Sequence, residues 1–439
     1  MFTYMRKIMT IQSLKSLVIK CILGCVNSYH KLQNKITLKK RRSIFFYPHI
    51  NCKYDNYDVF NYKSDNVLCL FMDIVSDDSF RGWDLYIVYY NKSKEEEYKL
   101  FAEQHKNKRI TFIFEEDAKG IRKAFYCTDL IFTDEMYRNY PYKLSRQKVV
   151  CLNYYPFPFK SDYVKLIDKN GKSSYMAEQK RINASYDALV SISDLSSIMI
   201  TQAEPFFYEK CVTLGFPRSD VFYHDCSSLK EKVISNIEYS VKNVIIYVPT
   251  HRDYENEERD VYDESLSKER TIWGYESQSA LDELENVLER TQSIIIAKIH
   301  PIQARSVLKK SSSKRVILYN DITETYNISL NELMAISDVM ITDYTSAVFD
   351  YLNVNNPIIY YFYDIERYIG TRGFIINPMA PLIAGEVTKN LHELSHAIED
   401  QSNGVDLYKD KREFLSDLII RYKDANAASR IKDYFIKLR

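Results

Sequence analysis

In the second half of this chain, apolar runs keep ending in residues that can hold an anion. NVIIYV (243–248) is followed by Pro249, Thr250, His251, Arg252 and Asp253. IIIAKIHP (294–301) brings Lys298, His300 and Pro301, and VMITDYTS (339–346) closes on Asp343, Thr345 and Ser346. Further on, IERYIGTRGF (365–374) carries Arg367, Arg372 and Gly373. Arginine, histidine and hydroxyl donors around one carboxylate suit a phosphate-bearing ligand. Charge-assisted hydrogen bonds from Arg252, Arg372 and His300 would be roughly twice as strong as neutral ones. A helix opening near Thr345 and Ser346 would add free backbone N–H groups and the positive end of its dipole. That dipole is worth only ~0.3–1 kcal/mol at an exposed site, so it cannot hold a diphosphate alone. Asp343 has three open roles: capping the helix, orienting a donor, or accepting from a sugar hydroxyl.

Each residue also has a purely structural explanation. Thr, Ser and Asp ahead of a helix are common N-caps, His300 alone fits a packed core equally well, and residues 251–260 read as a solvated loop. Recurrence at successive strand ends is what favours a ligand. Neither GxGxxG nor GxxxxGK[ST] occurs, so no dinucleotide fingerprint or P-loop is signalled.

The elements that must position these residues follow from the alternation of short apolar runs with helical stretches. Strands are expected at 43–48, 67–73, 84–90 and 110–114, continued by 130–133 and 149–153, with helices at 95–105 and 118–127. A second series covers 243–250, 294–300, 316–319, 339–341 and 357–362. This pattern is an α/β fold with parallel sheets, in which ligands bind beyond the carboxyl ends of the strands. Residues 228–243 read as a polar helix and connector, which divides the chain into a 1–42 N-terminal segment, a 43–227 domain and a 228–439 domain. The tail from 412 to 439 is helical by period.

Composition bounds the rest. With 439 residues, 46% hydrophobic, 27% charged and a net charge of +1, the chain offers no global field for nucleic acid. Its eight cysteines all lie before residue 227 and show no CxxC or zinc spacing. Buried free thiols in a reducing cytosol are the expectation. Residues 10–32 have helical apolar spacing broken by Lys15 and Lys20, short of the ~20 apolar residues a spanning helix needs. Lys20 also breaks the apolar core that a signal peptide requires. With the basic cluster at 39–42, this segment either rests peripherally on the inner face of an anionic membrane or packs on its own domain. The expected location is cytoplasmic.

The stretch SDVMITDYTSAVFDYLNVNNPIIYYFYD (337–364), followed by RGF (372–374), resembles the CDP-glycerol glycerophosphotransferase family, which includes teichoic acid primases and polymerases and related capsule enzymes. YVPTHRD (247–253), KIHP (298–301), LGFPRSD (214–220) and DANAASRI (424–431) resemble further family segments in the family's order, with Ala425 where glycine is usual. The resemblance implies a GT-B-like architecture, two Rossmann-like domains facing a cleft. It implies transfer of a polyol phosphate from CDP-glycerol or another CDP-polyol to a hydroxyl of a lipid-linked glycan or teichoic-acid-like acceptor, with release of CMP. No tightly bound cofactor is implied, and Mg²⁺ is compatible with the diphosphate. The donor would meet Thr250, Arg252, Lys298, His300, Asp343, Thr345, Ser346 and Arg372, with Arg218 facing the cleft from the domain junction. His300 and Asp343 are the implied catalytic residues on this side.

One segment departs from the family. A W-H-G-x-x-L-K-type run, whose His is the proposed base, corresponds here to VVCLNYYPFPFK (149–160). Lys160 aligns, but Tyr155-Pro156 stands in place of His-Gly, and an unperturbed tyrosine, with a pKa of about 10, is a poor base near neutrality. Three other readings therefore stay open. They are a GT-B glycosyltransferase using a nucleotide sugar, a hydrolysing sugar-nucleotide 2-epimerase, and a non-catalytic acceptor-binding subunit.

Overall fold

Runs of β-branched and aromatic residues supply the strands, and the central ones, such as Leu130–Thr133, Ser293–Ala297 and Val339–Thr342, are buried throughout. In this computed structural model the described residues are 42–48, 65–134, 143–144, 146–152, 184–203, 209–250, 271–274, 276–299, 313–371, 374 and 380–437, besides positions 21 and 25. The first sheet contains β1 (Ser43–Tyr47), β2 (Asp84–Tyr89), β3 (Arg109–Phe114), β4 (Leu130–Thr133), β5 (Lys148–Cys151), β6 (Ala188–Ser191) and β7 (Cys211–Thr213). The second contains β8 (Asn243–Val248), β9 (Ser293–Ala297), β10 (Val316–Leu318), β11 (Val339–Thr342), β12 (Ile358–Tyr361) and β13 (Glu386–Thr388). Their orders are β3-β2-β1-β4-β5-β6-β7 and β10-β9-β8-β11-β12-β13. Every pairing within them is parallel.

Both sheets share one geometric device. The chain fans out in one direction from the first strand, then returns to that strand's other side and fans out again. The crossover falls between β1 and β4 in the first sheet and between β8 and β11 in the second. At such a switch point the connecting loops diverge to opposite faces and leave a crevice beyond the carboxyl ends.

The expected strand at 67–73 is instead part of a helix, Asn66–Ser76. Asp65 caps it, its Oδ1 accepting from the Leu68 N–H at 2.8 Å. The buried positions Val67, Leu68, Leu70, Phe71, Ile74 and Val75 cover a broad helical face, which a short apolar run cannot reveal as helix or strand by period alone. The tail is helical at Lys409–Ile419 and again from Ala427, with Ile420 in extended backbone between. Its last part crosses back to the first sheet: Arg421 N–H donates to the Ile192 carbonyl at 2.9 Å, Lys432 Nζ meets Asp77 Oδ2 at 2.9 Å, and Phe435 packs edge-on against Phe132.

Among the described cysteines, Cys151 is fully buried, Cys69, Cys211 and Cys226 are half-buried, and Cys21, Cys25 and Cys127 are exposed, so the expected burial holds for some thiols only. The N-terminal segment lies outside the described residues except for Cys21, Cys25 and Arg42, whose guanidinium lies 5.4 Å from the Trp83 ring centre. Among the described residues no helix is long and apolar enough to cross a membrane.

The turn into β13 is a test of the packing. A Cβ on Gly385 would stand 1.9 Å from the backbone carbonyl oxygen of Ile358, inside the β12–β13 pairing. Gly385→Ala should destabilise the fold by about 3 kcal/mol, the upper range for overpacking, read from urea unfolding.

Candidate active site

The centre of the second sheet's crevice is a carboxylate. Asp343 follows β11 and is 1% exposed. A carboxylate that deep needs hydrogen-bond donors to offset its lost hydration, and the loop after β8 supplies them. The Thr250 N–H donates to Oδ1 and Oδ2 at 2.8 and 2.9 Å, and Thr250 Oγ1 donates to Oδ1 at 2.7 Å. The Tyr344 N–H also donates to Oδ1. One strand position earlier, Thr342 Oγ1 donates to the Val248 carbonyl at 3.0 Å. Asp343 therefore laces the two strand ends that flank the switch point.

Thr345 and Ser346 follow on the same edge, both half-buried. Thr345 Oγ1 accepts from the Ala347 N–H at 3.3 Å. Ser346 precedes the short helix Ala347–Tyr351 with helical backbone and no side-chain cap bond, so the capping explanation for this residue does not apply. Between them and Asp343, Tyr344 is fully buried and stacks on Tyr368 at 3.9 Å and Phe362 at 4.9 Å. That stack fixes the helix Ile365–Thr371, which carries Arg367, against the same loop. On the other side Lys298 follows β9, its Nζ 5.1 Å from the Tyr319 ring centre. Lys298, Thr250 and Asp343–Ser346 thus leave three adjacent parallel strands at one edge.

Arg218 lies where the two sheets' layers meet and is 9% exposed. Its Nη2 is 3.2 Å from Asp350 Oδ2, on the Ala347–Tyr351 helix. Its backbone is held from both sides, the N–H donating to Asn66 Oδ1 and the carbonyl accepting from Asn331 Nδ2, each at 3.1 Å. The segments LGFPRSD and DANAASRI meet as well. Asp220 accepts from the Ala427 and Ala428 N–H groups at 3.0 and 3.3 Å, and Arg430 Nε donates to the Leu214 carbonyl at 2.8 Å. Gly215, with φ +81°, lies so close that a Cβ there would stand 3.2 Å from Arg430 Nη2. Burial pushes the Asp220 carboxyl up to about 6 despite these donors.

Residues 76–437 match the model of the CDP-glycerol:poly(glycerophosphate) glycerophosphotransferase family. The chain belongs to this family. Relatives include a teichoic acid ribitol-phosphate primase of Bacillus spizizenii, 25% identical over 74% of this chain and 82% of its own length. A teichoic acid glycerol-phosphate primase of Bacillus subtilis is 23% identical over 59% of this chain and 60% of its own length. The solved structure of the wall teichoic acid polymerase TagF shares the fold, with a TM-score of 0.69 at 20% identity, over 98% of this chain and 96% of that one. The GT-B-like arrangement of two parallel α/β sheets is thus that of the family.

Of the residues expected in the family's site, Thr250, Lys298, Asp343, Thr345 and Ser346 gather at one sheet edge. Arg218 is at the junction, engaged with Asp350. Arg252, His300, Arg372, Tyr155 and Lys160 lie outside the described residues. A cavity of about 540 Å³, lined among the described residues by Tyr239, Trp273, Glu285 and Arg315, lies at the amino end of β10, away from Thr250, Lys298, Asp343, Thr345 and Ser346.

Sequence reasoning missed one group, at the first sheet's own switch point. Asp134 follows β4, its N–H donating to the Tyr47 carbonyl at 3.3 Å across the β1–β4 crossover. It is 1% exposed, and among the described residues its Oδ1 has no hydrogen-bond partner. Burial, then the Asp65 charge and an Asp65 hydrogen bond, hold its carboxyl well above the usual range, opposed by Arg218 and Asn66. The only local signal is an acidic residue directly after the apolar run LIFT, the same grammar as VMIT-Asp343.

Two predictions follow from these contacts. Arg218→Ala strands the buried Asp350 carboxylate and should cost about 3 kcal/mol of unfolding free energy, while the double variant Arg218→Met/Asp350→Leu should recover most of it. Asp134 binds its proton more tightly folded than unfolded, so it makes stability fall as pH rises above the unfolded carboxyl value of about 3.9. Asp134→Asn removes that penalty, and its thermal midpoint should exceed the parent's by more at pH 8 than at pH 5.

Proposed function

We propose that this chain transfers glycerol phosphate, or a related polyol phosphate, from a CDP-linked donor to a hydroxyl of a membrane-linked glycan or teichoic-acid-like acceptor, releasing CMP. Family membership makes the chain a transferase of the CDP-glycerol type. The observation that carries the reading is the Asp343–Thr250 lacing at the second switch point, with Thr345, Ser346 and Lys298 on the same edge. That is where an open α/β sheet binds a nucleotide.

In this reading the acceptor oxygen attacks the phosphorus that bears the polyol. The bond from that phosphorus to the CMP oxygen breaks, CMP leaves with the electron pair, and the acceptor hydroxyl loses its proton. Such chemistry depends on positioning and charge stabilisation rather than covalent work by the protein. Thr345 and Ser346 cradle the diphosphate, and Lys298, Arg252, His300 and Arg372 neutralise it. Asp343 has its oxygens engaged by Thr250 and Tyr344, so it positions the cradle rather than taking a proton. The acceptor lies toward the first sheet, with Tyr155 and Lys160. The reading has no tightly held cofactor, and Mg²⁺ on the diphosphate is compatible with it. The chain works at the cytoplasmic face of the membrane as a peripheral protein.

The test is CMP release over CDP-glycerol and CDP-ribitol with lipid-linked acceptors. Release of CMP supports the proposal, and donor binding without turnover favours a non-catalytic subunit, for which Tyr155-Pro156 in place of His-Gly is the supporting observation. Consumption of a nucleotide sugar instead would make the chain a glycosyltransferase. His300→Ala and Ser346→Ala should each lower turnover ~10²–10³-fold, the cost of removing one well-placed donor, with the fold intact by circular dichroism. Parental turnover in both variants would overturn the site assignment.

A further inference from the structure

Two helices lie side by side on one face of the second sheet, Gln278–Arg290 and Leu391–Ser402. Leu284, Val287 and Leu288 of the first share a core with Leu391, Leu394, Ala397 and Ile398 of the second. Their outer edges are joined by two polar pairs. His392 Nδ1 lies 2.9 and 3.1 Å from the two Glu283 carboxylate oxygens, and Arg290 meets Glu399 through two 2.9 Å hydrogen bonds. Both pairs join residues 109 apart in sequence, so the helices run in the same direction and stay in register over two turns, roughly 10 Å.

At the upper pair the donors outnumber what an ion pair needs. His396 stands one turn beyond His392 on the same helix face, as residues four apart do, with the two ring centres 4.6 Å apart and nearly perpendicular. One donor atom from each of Glu283, His392 and His396 lies within 4.8 Å of the others. A shared metal ion with ligand bonds of about 2.0–2.2 Å would bring such atoms to roughly 3.5 Å. The remaining contraction of about 1 Å is within the reach of side-chain rotation, and the His392 side chain, 64% exposed, has room to rotate. The packed leucine and valine layer beneath fixes the helix spacing beforehand, so little backbone order has to be created on binding. Glu399 is within electrostatic reach of His396 and adds negative charge nearby.

We propose that Glu283, His392 and His396 form a surface site for a divalent transition-metal ion, which clamps these two helices together across the back of the second sheet. Two imidazoles and one carboxylate suit Zn²⁺, Ni²⁺, Co²⁺ or Cu²⁺, whereas Mg²⁺ and Ca²⁺ prefer all-oxygen sites. With three protein ligands, the remaining coordination positions go to water. The site is independent of the transfer chemistry, since none of its residues belongs to the strand-end cluster.

The experiment is a calorimetric titration of the full chain with ZnCl₂, repeated on His392→Ala, His396→Ala and Glu283→Gln. His396 is the sharpest probe, because its removal leaves the Glu283–His392 contact in place. The parent should bind one more equivalent of Zn²⁺ than His392→Ala, and His396→Ala should weaken that equivalent at least tenfold. Excess Mg²⁺ should not displace it. Metal-free melting temperatures of parent and His396→Ala should coincide, and only the parent should melt higher with Zn²⁺ present. Equal Zn²⁺ uptake and equal melting shifts in the parent and both histidine variants would overturn the proposal. So would displacement of the ion by Mg²⁺.

Discussion

A guanidinium cannot be withdrawn from water at a domain junction unless an anion goes with it. Arg218 meets that condition with Asp350, and the contacts between the two layers cluster around the pair. The arginine belongs to the turn after β7, and the aspartate to the helix that follows Asp343–Ser346. The pair therefore connects the first sheet's last loop to the loop that carries the Thr345 and Ser346 hydroxyls. Around it, Tyr223 Oη donates to Asn353 at 2.7 Å and Lys230 Nζ meets Asp338 at 2.6 and 2.7 Å, while Asp338 also accepts from the Val244 N–H at the start of β8. The side-chain bonds of Arg218, Tyr223 and Lys230 join residues 218–230 to residues 338–353, and Asp338 carries the connection on to β8. The junction is a belt of polar contacts laid over an apolar core.

The same belt explains why the tail returns. Asp220 is two residues from Arg218 and takes the first N–H groups of the helix Ala427–Lys432, where a carboxylate also faces the positive end of the helix dipole. Arg430 then reaches Leu214, the residue before the turn begins. A short stretch, 214–220, is thus gripped by the helix at 66, by the second layer at 331 and 350, and by the tail at 427–430. Gly215 is the one position where its backbone takes a left-handed conformation, and the space a side chain would need is filled by Arg430 and Ala427.

Much of this was legible in the sequence where the local signal was periodic and unbroken. β8, β9, β11 and β12 are runs of buried apolar residues bounded by polar ones, and their ends carry Thr250, Lys298 and Asp343–Ser346 as expected. The reading of residues 67–73 as a strand fails because VLCLFMD is apolar at nearly every position, which suits a buried strand and a buried helix alike. What decides is Asp65 capping from outside the run. The partnership of LGFPRSD with DANAASRI was not legible at all. It spans more than 200 residues, and neither segment signals that its charges are satisfied by the other rather than by a ligand. Asp134 was missed for a related reason. A single acid after a strand is common, and only burial beside Asp65 makes it unusual.

The two switch points carry carboxylates in opposite surroundings. Asp343 and Asp134 are equally buried. Asp343 is given two backbone N–H groups and a hydroxyl, all donors, which replace the hydration its charge would lose. Asp134 is given a second acid, Asp65, and its Oδ1 meets no donor among the described residues, so its carboxyl is held well above the usual range. The hydrogen bonds to Asp343 hold the β8 and β11 loops in one geometry. The Asp134 side chain has no such set of donors, so its burial acts at the first sheet's switch point as a penalty on ionisation, not as a brace between strand ends.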